Sequence, residues 1–329
     1  MKPKLALYWA SSCGGCEIAV VDTELKILDI ADFFDIVFWP CLMDFKYKDV
    51  EAMADGEITL CLFNGAIRTS ENEYLAKLLR AKSKVLVAFG SCAYEGCIPG
   101  LANFFDKKAI FDCNYKDSIS LEESSKGVYP VTHTHMPEGD IEIPEFWNTV
   151  KSLDQVVDVD YYVPGCPPQS FQIINVVEAV IDILKNGKPL PPQGTILGAG
   201  DKTCCEECPR ERKEKKIKKF YRPQEKIPDP DECLLDQGFM CMGPATRSGC
   251  DALCVKANIG CRGCYGPPPN VMDQGAKMVS ALSSVIDSTD PKEVREIIGT
   301  IADPLGTFYR FSMAHSILHR VQIKENGKE

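Results

Sequence analysis

The sequence predicts an α/β protein in which an open, doubly wound parallel sheet is joined to a smaller cysteine-rich domain. Three observations carry that reading. Short apolar, β-branched runs alternate with helical patterns through the first half of the chain, as a parallel sheet with crossover helices requires. A Pro/Gly-rich join, Gly187-Lys-Pro-Leu-Pro-Pro-Gln-Gly194, then interrupts the alternation. Of the 17 cysteines, eight lie in residues 1–203 and nine crowd into residues 204–264. Domains of 1–195 and 196–329 are therefore expected.

Strands are expected at Leu5–Ala10, Asp35–Trp39, Ile58–Phe63, Val85–Phe89 and Val157–Val163, where apolar and β-branched residues run together. Helices are expected at Cys16–Phe33, Glu71–Ala81 and Gln169–Leu184, where apolar residues recur every three or four positions. This alternation is the flavodoxin-like version of the doubly wound fold. Residues 103–156, with Pro130, Pro137, Pro144, His133 and His135, read as a long surface insertion. The cysteine-rich segment lacks long periodic elements, so its core is expected to be organised largely around metal. Residues 275–319 return to a helical pattern and should pack on the body or on a partner.

The length of 329 residues suits two domains, and an apolar fraction of 45% with 26% charged residues is that of a globular protein. A net charge of -10 disfavours a general nucleic-acid binder. The opening MKPKLALYWASSCGG has too short an apolar stretch for a signal peptide, and no run reaches the length of a membrane span. A cytoplasmic location is expected. In a reducing compartment, so many cysteines point to metal ligation rather than disulfides.

Four of them stand at the carboxyl ends of predicted strands: Cys13 and Cys16 after the first, Cys92 after the fourth and Cys166 after the fifth. Ligands of doubly wound sheets sit there. Four converging thiolates suit a [4Fe–4S] cube, and a Cys₄ zinc site fits the same spacing. The later segment offers Cys204-Cys205-Glu206-Glu207-Cys208, Cys233, Cys241, Cys250, Cys254, Cys261 and Cys264. These nine resemble a ferredoxin-like module with two cubes and one thiol to spare. In sequential grouping, Cys205, Cys208, Cys233 and Cys241 hold one cluster and Cys250, Cys254, Cys261 and Cys264 the other. Cys204 is the spare, able to trade places with Cys205.

The set Cys13-Gly-Gly-Cys16-Glu17, Gly90-Ser-Cys92-Ala93 and Pro164-Gly-Cys166-Pro-Pro168 resembles the proximal-cluster signature of [NiFe] hydrogenase small subunits. Cys241-Met-Gly-Pro-Ala-Thr-Arg-Ser-Gly-Cys250 and Cys261-Arg-Gly-Cys264 are similar to that family's distal and medial segments. The resemblance implies three [4Fe–4S] clusters: proximal on Cys13, Cys16, Cys92 and Cys166; medial on Cys250, Cys254, Cys261 and Cys264; distal on Cys205, Cys208, Cys233 and Cys241. It places the Ni–Fe catalytic site on a partner large subunit and gives this chain electron transfer. Within the family the likeness is to the G subunits of methyl-viologen-reducing (F420-non-reducing) hydrogenases. That implies a heterodisulfide reductase as acceptor, often through a [2Fe–2S] subunit, in methanogenic metabolism. Sulfhydrogenase-type and hydrogen-sensing small subunits are the neighbouring alternatives. A zinc-stabilised structural scaffold is the alternative of a different class.

Other features have plainer readings. Cys41, Cys61, Cys97 and Cys113 read as buried thiols, although Cys97 stands where oxygen-tolerant relatives carry an extra proximal cysteine. Glu17 is either a first-turn helix carboxylate or a candidate proton relay. Asn64-Gly65 stands where many relatives show Glu-Gly. The basic run Arg210–Arg222 reads as a solvated loop, with a docking patch for an acidic redox partner as the sharper idea. Phe308, Tyr309 and Phe311 read as core.

Overall fold

A computed structural model describes residues 2–213 and 217–318. The basic run therefore lies partly outside the described residues. Nine strands are described: β1 (Lys4–Trp9), β2 (Asp35–Phe38), β3 (Ile58–Asn64), β4 (Ile67–Thr69), β5 (Ser83–Phe89), β6 (His133–Met136), β7 (Gly139–Glu142), β8 (Phe146–Lys151) and β9 (Tyr161–Val163). Five form one sheet in the order β2-β1-β3-β5-β9, every pair parallel. This is the flavodoxin-like order, with its switch point between β1 and β3.

Side chains alternate across the sheet, as strand geometry dictates. Ala6, Tyr8, Cys61, Phe63, Leu86 and Ala88 face one layer, where Leu75, Ala76 and Leu79 pack without exposure. Those three belong to the helix Ser70–Lys82, whose amino end is fixed by the Asn72 N–H donating to Thr69 Oγ1 at 3.2 Å. Leu5, Leu7, Leu60, Leu62, Val87 and Phe89 face the opposite layer, against Ile30, Phe34 and Ile173. Both faces are covered, so the strands read as nearly continuous apolar runs.

The expected helix Cys16–Phe33 is two helices, Gly15–Val21 and Lys26–Phe33. Glu24 adopts φ +55° between them and turns the chain. The insertion is partly built into the body: β8 pairs antiparallel with β4, while β6 and β7 form an exposed hairpin. His133 and His135 on that hairpin pair with Glu142 and Asp140 at 3.0 and 2.7 Å.

The last strand is shorter than expected. Beyond it, residues 195–197 run beside Tyr162, with the Leu197 N–H donating to the Tyr162 carbonyl at 2.7 Å. The cysteine-rich segment has an apolar core of its own, contrary to a core organised largely by metal. Ile217, Phe220, Leu234, Met242, Met278, Leu282, Ile297, Phe308 and Met313 cluster there. The helices Gln274–Ser283 and Pro291–Gly299 contribute its far side. Residues 313–316 return to the first body, where Gln155 Nε2 donates to the Ala314 carbonyl at 2.8 Å and His315 pairs with Asp154 at 3.2 Å.

Close to that return, Glu95 is only 1% exposed. Burial lifts its carboxyl to about 8, against the opposing charges of His315 and Arg247. Its folded value exceeds the ordinary one, so the bound proton contributes stability that is fully present below the unfolded value. That stability is lost as the pH rises through about 8. Glu95→Gln should therefore flatten the decline in unfolding free energy between mildly acidic and mildly alkaline pH, measured by chemical denaturation under argon. A slope unchanged from the parent would refute the assignment. In the same assay Leu79→Ala, at a site with no exposure, should cost about 2–5 kcal/mol. Leu25→Ala, at a site 79% exposed, should stay within about 0.5 kcal/mol.

Candidate metal centres

The sheet ends in one row: Trp9 lies opposite Asn64, Asn64 opposite Phe89, and Phe89 opposite Val163. The segments bearing Cys13, Cys92 and Cys166 therefore leave the sheet at one height. The Gly90 N–H donates to the Val163 carbonyl at 2.8 Å and the Ser91 N–H to the Gly165 carbonyl at 2.9 Å, tying two of them together. Cys16, on the first turn of its helix, lies among Cys92, Cys166 and Cys13. Burial first, and those three thiols after it, push the Cys16 thiol well up. The Gly15 N–H donates to Cys13 Sγ at 3.4 Å. Gly90 has φ +82°, and a Cβ there would stand 2.3 Å from Cys16 Sγ, so only glycine leaves this cradle open.

Cys97 joins the same group. Its thiol lies 3.7 Å from Cys166 Sγ and donates to it, holding Cys166 down at about 7. Cys97 is fully buried, as its plain reading requires. Its position against Cys92 and Cys166 comes from φ +44°, a turn that sequence reasoning did not reveal. Cys41 and Cys113, also read as buried, are exposed, whereas Cys61 is buried.

A second group forms around Cys205. It lies with Cys208, Cys233 and Cys241 on one small cavity, which Arg212 also lines. Burial pushes the Cys205 thiol up, and the Arg212 guanidinium beside it pulls the other way. A Cβ on Gly243 would come within 3.1 Å of Cys205 Sγ and 3.6 Å of Cys241 Sγ. The Cys261 N–H donates to Cys241 Sγ at 3.3 Å.

The third group centres on Cys250 and Cys261, with Cys254 and Cys264 each close enough to feel both. Cys264 is also the seam with the first group. Cys166 and Cys264 pack against one buried cluster with Cys92 and Cys97, and Ser91 Oγ donates to the Cys264 carbonyl. Cys204 lies close to Cys250 and Cys261 and also lines the cavity of the second group, so the spare thiol stands between the two groups.

These groups suit iron–sulfur cubes. A tetrahedral zinc site, with Zn–S of ~2.3 Å, needs sulfurs about 3.8 Å apart. Among the described residues, only Cys204, Glu207 and Cys250 bring three ligand atoms within 4.8 Å of one another. The four-thiol sets are more open, and amide N–H groups and glycine cradles face their sulfurs, as clusters require.

Glu17, next to Cys16, is 5% exposed. Burial raises its carboxyl, while hydrogen bonds from Trp39 and Cys41 oppose the rise. Cys41 Sγ lies 3.5 Å from Glu17 Oε2. Arg210 of the basic run is buried, its guanidinium donating to the carbonyls of Asp229, Glu232 and Val255. Lys213 and Lys219 pair with Glu232 and Glu225.

Over residues 13–180 the sequence matches the family described as NADH ubiquinone oxidoreductase, 20 Kd subunit. It is 40% identical to the iron-sulfur G subunit of the F420-non-reducing hydrogenase of Archaeoglobus profundus, over 98% of this chain and 100% of that one. It is 37% identical to the G subunit of the F420-non-reducing hydrogenase of Methanothermobacter marburgensis, over 99% of each chain. The chain belongs to the family of F420-non-reducing hydrogenase G subunits. As a hydrogenase small subunit it is part of an oxidoreductase acting on H₂. The delta subunit of sulfhydrogenase 2 of Pyrococcus furiosus is a more distant relative, 26% identical over 80% of this chain and 86% of that one. The fold is shared with an H₂-activated [NiFeSe]-hydrogenase from Dm. baculatum, at a TM-score of 0.50 and 19% identity over 82% of this chain and 96% of that chain. Among the described residues no helix is long and apolar enough to cross a membrane.

Gly90→Ala should lower the iron content of the protein, because the new methyl group occupies the cradle beside Cys16. Gly187→Ala, where a Cβ meets nothing within 4 Å, should leave iron content unchanged. Iron analysis of anaerobically purified protein checks both.

Proposed function

We propose that this chain is the electron-transfer small subunit of a cytoplasmic [NiFe] hydrogenase and carries three [4Fe–4S] clusters. Cys13, Cys16, Cys92 and Cys166 would hold the proximal cluster. Cys250, Cys254, Cys261 and Cys264 would hold the medial cluster, and Cys205, Cys208, Cys233 and Cys241 the distal one. The observation that carries this reading is the sorting of thiols from separate segments into three groups linked in series. Bound there, each cluster would take up and pass on one electron at a time.

The chain's own groups supply the rest. Thiolates bind, and the N–H groups of Gly15 and Cys261 donate to sulfur, which favours the more reduced state. Ser91, beside Cys92, ties the first group to Cys264 of the third by donating to its carbonyl. Adjacent residues Cys204 and Cys205 join the third group to the second through a single peptide. Arg212 places a positive charge beside Cys205, where it would stabilise added negative charge at the distal end.

The Ni–Fe site would lie on a partner large subunit. Exposed Ile18, Val21, Leu25 and Leu28, on the two helices after Cys13 and the turn between them, offer it an apolar face. The relatives' names favour the F420-non-reducing branch, and for that branch delivery of electrons to a heterodisulfide reductase, with a [2Fe–2S] subunit between, in methanogenesis is part of the proposal. Glu17, buried beside Cys16, would act as a proton relay. Residues 1–195 and 196–329 would form two domains, in keeping with their separate apolar clusters.

Anaerobically purified complex should contain about twelve irons per copy of this chain, with broad brown absorption, and should carry a large Ni–Fe subunit with it. Zinc in place of iron and no visible band would overturn the proposal in favour of a structural scaffold.

A further inference from the structure

Cys204 is the one cysteine of the C-terminal nine that the twelve-ligand assignment leaves over, and the structure gives it a specific place. It is 2% exposed and opens the short 3₁₀ turn Cys204–Glu206. Its N–H donates to the Thr246 carbonyl at 2.8 Å, which anchors the turn to the segment leading into Cys250. Successive residues of such a turn project about 120° apart, so Cys204 and Cys205 point in different directions, although both border the cavity of the second group. The Cys204 thiol reaches the sulfurs of both Cys250 and Cys261.

A second observation points to a ligand at the same place. Cys204 Sγ, Cys250 Sγ and a Glu207 carboxylate oxygen lie within 4.8 Å of one another. Glu207 Oε1 accepts from the Gly249 N–H at 2.7 Å, while Oε2 is buried without a hydrogen-bond partner among the described residues. An unpaired buried carboxylate oxygen beside two thiols marks a position for positive charge. Cys254, by contrast, is the exposed member of the medial four.

We propose that Cys204 is a fifth thiol of the medial centre and takes the iron corner that Cys254 gives up. The inference rests on the [4Fe–4S] reading above. In the exchange the iron–sulfur bond to Cys254 breaks and one to Cys204 forms. Cys204 releases its proton to water, the Cys254 sulfur takes one up, and no electron moves. Cys204 adjoins two ligands that stay in place, so the cluster remains gripped while its exposed ligand changes. A centre with a reserve ligand keeps four irons where an ordinary one would decay to three.

The intact, anaerobically purified hydrogenase complex provides the test, with Cys254→Ala, Cys204→Ala and the double variant. Iron content and the paramagnetic resonance of oxidised samples are the readouts. Each single variant should keep the parent's iron and show no three-iron signal. The double variant should lose one iron per complex and show that signal strongly. A three-iron signal in Cys254→Ala as strong as in the double variant would overturn the proposal, as would four irons retained in the double. So would Cys204→Ala abolishing the distal signal in the way Cys205→Ala does. If Cys204→Ala fails to assemble, Cys204→Ser preserves the side-chain volume, and Cys254→Ala alone still decides between retention and loss. A parent complex without four-iron centres would instead sink the cluster reading itself.

Discussion

Thiols drawn from residues 13, 92 and 166 can share one small volume only if three strands end at the same height, and the parallel ladder enforces that. Each rung from Trp9 through Asn64 and Phe89 to Val163 is held by backbone hydrogen bonds. A slip of one residue would turn every side chain to the other face. It would drive Phe63 and Leu86, both unexposed, out of their layer. Burial of the two apolar layers thus specifies register, and register specifies where the thiols meet. The glycines at the strand ends act after that, by leaving room at positions the ladder has already fixed.

The C-terminal part solves the same problem without a sheet. Its thiols sit on short turns around an apolar cluster to which residues 217–255 and 278–313 both contribute. Burial pushes the Cys241 and Cys264 thiols up, so forming thiolates there is costly in the absence of a cation. A bound metal would offset that cost and couple folding of these turns to loading of the centre.

The sheet was legible because buried parallel strands read as apolar runs and their connecting helices as amphipathic ones. The Cys16–Phe33 pattern gave no warning of the break at Glu24, since both halves keep the same apolar face and only the backbone departs at φ +55°. The β4–β8 pairing joins residues about eighty positions apart through short strands with little pattern. The cysteine content pointed to metal, and the spacing suggested groups that the folded chain does bring together. Sequence order could not tell which way Cys204 faces relative to Cys205, nor that Cys97 turns toward Cys166. Those outcomes depend on single dihedral angles and tertiary contacts. Exposure of Cys41 and Cys113 was hidden for the same reason, because a thiol carries no periodic signal of its own.

The return of residues 313–316 to the first body bears on the order in which the molecule can be assembled. Ala314 lies so close to Gly96 that a Cβ added there would stand 2.4 Å from its own, and it forms a wall behind the loop that carries Cys92 and Cys97. That wall comes from a segment some three hundred residues downstream of Cys13. During synthesis, the first four thiols are therefore translated and able to gather long before their enclosure exists. A group bound by those thiols would have an open approach until residue 314 has emerged, after which the closing segment covers the loop behind it.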